Sequence, residues 1–109
     1  MEQSASPLTD ASLREALCDV IDPELGYNIV DLGLVYDIGI EGSLVDVTMT
    51  MTTQGCPAQD YIVEGVEHRL AEVVGVTGVF VTVVWSPAWS PRRMSPEAKA
   101  HFRIREDSE

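Results

Sequence analysis

The chain has 109 residues, a length that fits one domain built around one hydrophobic core. Hydrophobic residues make up 45% and charged residues 23%, a globular composition that argues against a disordered chain. The formal charge is −11, with fourteen acidic and only two basic residues in positions 1–91, so the field repels phosphate backbones and no nucleic-acid partner is expected.

No membrane partner is expected either. No apolar run approaches the ~18 residues of a membrane span, and the first ten residues lack the basic and apolar regions of a signal peptide. The sequence therefore predicts a cytoplasmic protein whose two cysteines, Cys18 and Cys56, are reduced. No CxxC or CxxxC pair is present to form a self-contained zinc or cluster site.

The first predicted element is an amphipathic helix from Thr9 to Ile21, because its apolar residues recur at helical spacing. Thr9 is placed as its N-cap. Pro23 is expected to stop the helix, since the residue before a proline is pushed out of the helical region. Residues 22–26 then form a turn.

An antiparallel hairpin follows. Its first strand is predicted from Leu34 to Ile40, residues 41–43 form the tight turn, and the second strand runs from Leu44 to Thr52. In the second strand Val, Val, Met and Met at every second position alternate with Asp and Thr, which is the pattern of one buried and one polar face.

A second amphipathic helix is predicted after residue 56, with an apolar stripe from Ile62 to Val74 and with Gly75 as its C-terminal stop. The apolar, β-branched run from Val79 to Trp85 predicts a strand buried on both sides or in the middle of a small sheet.

Three Ser-Pro steps in WSPAWSPRRMSPEAK predict an ordered extended loop over residues 85–91 and a short helix starting near Ser95. The order is α-β-β-α-β-(short α), an α+β fold in the form of a two-layer α/β sandwich. The domain is expected to span residues 9–102, with a flexible N-terminus over 1–8 and a flexible C-terminal tail over 103–109.

Cys56 lies where the strand pattern changes to the helix pattern. Pro57 suits the first position of a helix, which places Cys56 at the N-cap, and Gly55 lets the chain turn sharply before it. Free N–H groups and the helix dipole at that position favour a thiolate. A buried, inert cysteine explains the spacing equally well.

A single cysteine does not hold a metal or cluster strongly, since structural zinc takes four ligands and iron-sulfur clusters usually take four cysteines. Further ligands could come from Asp22, Glu24 and Asp31, from small thiols or from another subunit. The competing interpretation of these acids is that they only stop the helix and form turns.

The other candidate residues have mainly structural interpretations. Cys18 is expected to pack at the edge of the first helix, and His68 and His101 are expected at the surface. Of Trp85 and Trp89, one is predicted to cover the core and the other to offer aromatic surface to a partner.

Three blocks of the chain resemble a known family. The blocks are VIDPELGYNIVDLGLVYDIGI, VTMTMTTQGCPAQDYIVEGVE and VTVVWSPAWSPRRMSPEAK, and together they cover residues from about 13 to 102. They are similar to the signature blocks of the metal-sulfur cluster biosynthesis domain, the SufT-like and PaaD-like iron-sulfur cluster assembly domain.

The resemblance implies the fold of an iron-sulfur cluster assembly domain and a non-enzymatic role as carrier, adaptor or assembly helper. It also implies that Cys56 is the reactive thiol, binding a transient iron or iron-sulfur cluster. The matching motif positions are Asp22, Pro23, Glu24, Asn28, Asp31, Gly33, Thr53, Gly55, Cys56 and Pro57. The implied partners are iron-sulfur scaffold or client proteins, with a homodimer if two subunits share the metal.

Two alternatives stay open. PaaD-like members serve a multicomponent oxygenase of the phenylacetate-degradation type, but they carry a cysteine-rich C-terminal extension, and residues 92–109 here contain no cysteine. A thiol-based redox or nucleophilic protein is the other alternative, although the sequence offers no base beside Cys56.

Overall fold

A computed structural model describes residues 8–52 and 58–103. The elements in chain order are α1 (Asp10–Leu17), β1 (Ile21–Asp22), β2 (Tyr27–Asn28), β3 (Val35–Glu41), β4 (Leu44–Met49), α2 (Ala58–Ala71), β5 (Gly78–Val83), a 3-10 turn (Pro91–Arg93) and α3 (Pro96–Phe102). The expected flexible ends fall mainly on residues 1–7 and 104–109, which lie outside this description.

The main sheet has the strand order β3-β4-β5. β3 and β4 form the predicted antiparallel hairpin, with Ile38 opposite Val47 and with an irregularity between Val35 and Asp37. β4 and β5 are parallel, and Val47 lies opposite Val81. The connection between these parallel strands runs through α2, as parallel pairing requires.

The first helix begins as predicted but ends early. Thr9 is its N-cap, and its side chain accepts a hydrogen bond from the Ser12 backbone N–H in a reciprocal capping box. The helix ends at Leu17 rather than Ile21, because the next residues pair with another segment: Ile21 lies opposite Asn28 in the small β1-β2 ladder. Pro23 is therefore not the residue that ends the helix.

The predicted turn at residues 22–26 connects β1 and β2. The Asp22 Oδ1 atom accepts hydrogen bonds from the backbone N–H groups of Glu24 and Leu25, at 2.7 and 3.1 Å. Gly26 completes the turn with a positive φ of 70° and donates its N–H to the Asp22 carbonyl. The two-residue strands on either side were not predicted.

The alternating pattern of β4 is confirmed for its apolar side. Val45, Val47 and Met49 are fully buried. The predicted strand continued to Thr52, but the observed one ends at Met49. Beyond that end the alternation stops, and Thr50, expected on the polar face, is also fully buried.

The apolar stripe of α2 is confirmed at three positions, since Ile62, Val66 and Leu70 are buried. The prediction was wrong at Val74, whose surface is 91% exposed. The helix ends at Ala71, so Val74 lies beyond its last turn, and Gly75 follows with a φ of 98°. The predicted start of this helix at residues 56–57 lies outside the described residues.

The prediction for the last strand was wrong in its placement. β5 is an edge strand with one covered face, and β4 is the central strand. Val79, Val81 and Val83 pack against the core, whereas Phe80 points away from it and is 59% exposed. A run of apolar residues does not indicate where a strand lies in the sheet. The apolar residues on both faces of β5 therefore did not show that both faces are buried.

The fold class is confirmed. The helices α1 and α2 contact each other, α1 contacts β3, and α2 contacts β5, so the helices cover one face of the sheet. One buried cluster fills the space between the two layers. This is the α+β, two-layer arrangement that the order of elements predicted.

The C-terminal segment is fixed to the loop between β2 and β3. The Trp89 indole N–H donates to the Leu32 carbonyl at 2.7 Å, and the Ser95 N–H donates to the Asp31 carbonyl at 2.7 Å. Between these two bonds, Gly33 lies against Arg93 with a φ of 80°, and a Cβ atom at Gly33 would be 2.3 Å from the Arg93 carbonyl oxygen. Only glycine fits this position.

We predict that Gly33→Ala lowers the free energy of unfolding by about 2–4 kcal/mol, because left-handed strain and the clash with Arg93 add. Gly42→Ala is the matched control, since Gly42 has a φ of 63° but no neighbour near its Cβ position. The control is expected to lose about 1 kcal/mol. Equal losses in urea unfolding would show that the contact with Arg93 contributes nothing.

Candidate functional site

The segment that contains the candidate cysteine lies outside the described residues. Thr53, Gly55, Cys56 and Pro57 lie in the segment 53–57, between Thr52 and the first residue of α2. Their predicted roles, including Cys56 as an N-cap thiolate, therefore remain predictions. The motif residues outside this segment can be placed.

The DPE motif forms a turn. Asp22 is 3% exposed, and the hydrogen bonds that it accepts from the turn explain why a carboxylate is buried there. Pro23 and Glu24 are exposed. The motif thus has a structural function: Asp22 holds the turn and leaves the Glu24 side chain at the surface.

Asn28 and Asp31 bind each other. The Asn28 side-chain amide donates to Asp31 Oδ2 at 2.9 Å, and its oxygen accepts the Asp31 backbone N–H at 2.8 Å. The Asp31 carbonyl also receives the Ser95 N–H. These two residues therefore shape the loop to which the C-terminal segment is attached.

The described residues contain no group of three or more His, Cys, Asp or Glu side chains that could hold a metal ion. Asp22 and Asp31 each use a carboxylate oxygen in the hydrogen bonds of their own loops. Asp22, Glu24 and Asp31 were predicted to assist Cys56 in binding a metal. Because Cys56 lies outside the described residues, this contribution remains a prediction.

Cys18 is a half-buried free thiol at the end of α1. Burial raises the pKa of this thiol, and the nearby carboxylates of Asp31, Asp19 and Glu15 raise it further. A raised pKa keeps the sulfur protonated near neutral pH, and a protonated thiol is a poor metal ligand and nucleophile. Cys18 is therefore suited to packing, as its sequence position indicated.

Both histidines are exposed, as expected. The Nε2 atom of His68 lies 3.3 Å from the carboxylate of Glu72, which follows the end of α2. The ring of His101 stacks against Tyr27 at a centroid distance of 4.9 Å. Neither contact involves a cysteine.

The two tryptophans differ in their surroundings. Trp89 packs against the core and is held by its bond to Leu32. Trp85 is 36% exposed and follows the end of β5. Trp85 is thus the one with aromatic surface free to meet a partner, although its partner-binding role remains a prediction.

Thr50 is a polar residue that the sequence analysis did not single out. It is fully buried, and among the described residues its Oγ1 atom has no hydrogen-bond partner. The only sequence signal was its place in a Met-Thr-Met run, which an alternating pattern assigns to the opposite, polar face. A buried hydroxyl without a partner costs stability.

We predict that Thr50→Val raises the free energy of unfolding by about 1 kcal/mol, since a methyl group replaces an unpaired hydroxyl at similar volume. Thr48→Val, on the partly exposed face of β4, is the control and should change stability by less than about 0.5 kcal/mol. A clear loss of stability in Thr50→Val would mean that the hydroxyl is paired after all.

The Cys18 thiol should be less reactive than an ordinary cysteine. In a Cys56→Ser variant, which keeps Cys18 as its only thiol, alkylation by iodoacetamide at pH 8 is expected to be several-fold slower than for the cysteine of a short unstructured peptide with blocked termini. Because the pKa is raised, the rate should reach its plateau at a higher pH than in the free thiol. Coincident pH profiles for the two thiols would contradict the prediction.

With this geometry in hand, comparison with known proteins assigns the family. Residues 10–83 match the family model described as "Iron-sulfur cluster assembly protein", and the chain belongs to this family. The resemblance to the iron-sulfur cluster assembly family is thereby confirmed.

Two individual relatives are similar in sequence to this chain over most of its length. The chain is 47% identical to "Fe-S protein maturation auxiliary factor YitW" of Bacillus subtilis, over 85% of this chain and 92% of that protein. It is 46% identical to "Fe-S protein maturation auxiliary factor SufT" of Staphylococcus aureus, over 73% of this chain and 92% of the relative.

A solved structure supports the fold as well. A domain of unknown function from Bacillus anthracis superimposes with a TM-score of 0.82 at 47% identity, covering 88% of this chain and 92% of the other.

In residues 8–52 and 58–103, no helix is long and apolar enough to cross a membrane.

Proposed function

We propose that this protein is an auxiliary factor in the maturation of iron-sulfur proteins, and that Cys56 transiently binds the iron or cluster being transferred. The observation that carries the proposal is the 47% identity, over 92% of its length, to a relative whose name states that role. The metal is cargo in this role, and the cytoplasm is the compartment that we assign to it.

The two cysteines differ in their suitability for binding metal. Cys18 has a raised pKa and sits among three carboxylates, so it is poorly suited to bind metal near neutral pH. Cys56 precedes Pro57 directly ahead of α2, where the start of a helix favours a thiolate. Of the two thiols, Cys56 is therefore the one that we assign to the metal.

The remaining ligands are proposed to come from outside this chain. Asp22 and Asp31 already hold their own loops together through hydrogen bonds, so using them as ligands would weaken those loops. One thiolate per chain leaves most positions of an iron or cluster open. A second copy of the chain, a small thiol or a scaffold protein would fill those positions.

The cargo role is tested by anaerobic reconstitution with iron(II) and sulfide, followed by absorption spectra and iron and sulfide analysis. Wild type and Cys18→Ser are expected to gain the same cluster absorption, whereas Cys56→Ser should gain none, because it lacks the metal-binding thiol. Thermal unfolding of the three proteins checks that each is folded.

The same preparation tests whether two chains share the cluster. A shared cluster gives one cluster per two chains and a doubled mass in light scattering after reconstitution. A loaded monomer would rule out the shared form, and a full cluster content in Cys56→Ser would rule out Cys56 as the ligand.

A second candidate function, an adaptor that docks client proteins without binding metal, is favoured by the exposed surface of Trp85. A normal cluster-protein activity in cells that carry Cys56→Ser would favour the adaptor. The PaaD-like and thiol-redox alternatives receive no support from the relatives named above, which are maturation factors.

A further inference from the structure

One pocket is lined by two arginines, Arg14 and Arg93, and none of the roles above uses it. It has a volume of about 500 Å³. Its polar wall is formed by Arg14, Tyr36 and Arg93, and its apolar wall by Val30, Val35 and Pro87. We call it the arginine pocket, and we propose that it binds a small organic acid, with a carboxylate at the arginines and a short branched alkyl group against the apolar wall.

Arg93 is held in place before any ligand arrives. Its guanidinium carbon lies 4.6 Å from the centroid of the Tyr36 ring. The ring is fixed in turn, because the Tyr36 hydroxyl donates to the Pro87 carbonyl at 2.7 Å. Stacking covers one face of the guanidinium and leaves the N–H groups at its edge available, which is the geometry that binds a carboxylate with two parallel hydrogen bonds.

The backbone beneath Arg93 is equally constrained. Gly33 packs directly against the Arg93 carbonyl, and the Arg93 backbone N–H donates to the Ser90 carbonyl at 3.0 Å. Met94, the next residue, is buried. A binding arginine on such a fixed backbone loses less entropy on binding than one on a mobile loop.

Arg93 has no carboxylate partner within the described part of the chain. This is unusual in a protein with 18 acidic and 7 basic residues, and Arg69 illustrates the ordinary case by pairing with Asp19 and Glu72. Arg14 does bind Asp10, but through its Nε atom. Among the described residues no acidic side chain lines the pocket, so the positive charge of Arg93 is available to a ligand anion.

The apolar wall determines which group attached to the carboxylate fits the pocket. Val30 and Val35 pack at the core and offer branched aliphatic surface on one side of the pocket. An inorganic ion would leave this surface in contact with water, whereas a branched alkyl group would cover it. The two walls together therefore fit a short branched carboxylic acid better than either a simple anion or a neutral molecule.

The test is an NMR titration of the ¹⁵N-labelled full chain with 3-methylbutanoate, with 3-methylbutanamide as the uncharged molecule of the same shape. The acid is expected to give saturable shifts at Tyr36, Val35 and Arg93, and the amide to give none. Arg93→Gln should weaken binding roughly tenfold, the loss expected from one charge-assisted hydrogen-bonded contact. Arg69→Gln, which removes the same charge outside the pocket, should bind as wild type does.

Several results would overturn the proposal. Shifts that do not saturate, equal binding of acid and amide, or unchanged binding in a folded Arg93→Gln variant would each exclude a carboxylate site at Arg93. Inorganic phosphate that binds as well as the acid would exclude recognition of the alkyl group. The titration does not depend on Cys56, so its outcome is separate from that of the cluster reconstitution.

Discussion

The contact between Gly33 and the Arg93 carbonyl is the constraint on which the remainder of the structure depends. A backbone can approach another backbone this closely only where no Cβ atom intervenes. The approach brings the C-terminal segment onto the loop between β2 and β3, where the bonds to Leu32 and Asp31 then form. It also seats Arg93 over Tyr36. A single glycine thus joins two regions about sixty residues apart in sequence and builds one wall of the arginine pocket.

The acidic motif residues are consequently best understood through the backbone groups that they bind. Asp22 accepts the N–H groups of its turn, and Asp31 bonds with Asn28 on one side and Ser95 on the other. Such residues are indispensable to the loop shape even when they contact no ligand. These motif positions therefore build loops, and a place in the motif does not by itself indicate contact with a ligand.

The sequence was informative wherever the determining interactions are local. The Thr9 cap, the alternation of Val45 and Val47 and the Ser95 helix start each depend on neighbours within a few residues, and each was predicted. Errors arose where strand pairing decides the outcome. The end of α1 is set by strand pairing with residues 27–28, and the edge position of β5 is set by strand order, which no periodicity in its own residues encodes. Of the site, Asp22, Asn28 and Asp31 were recognised as motif residues, but the bond from the Ser95 N–H to the Asp31 carbonyl was not predicted, because these two residues meet only in the folded chain. The arginine pocket was missed for the same reason.

The negative charge of the chain bears on which of its thiols can bind metal in the proposed role. At Cys18, burial first and the surrounding carboxylates second oppose thiolate formation and raise the pKa of the thiol. A thiolate is favoured only where a local positive potential, such as the start of α2, offsets that field. In the proposed role Cys56 supplies a single strong ligand at that point and the chain supplies few others. A site with four protein ligands would hold its cluster, whereas one ligand per chain binds firmly only while a partner completes the coordination. An incomplete ligand set is therefore what a factor that must release its cargo requires.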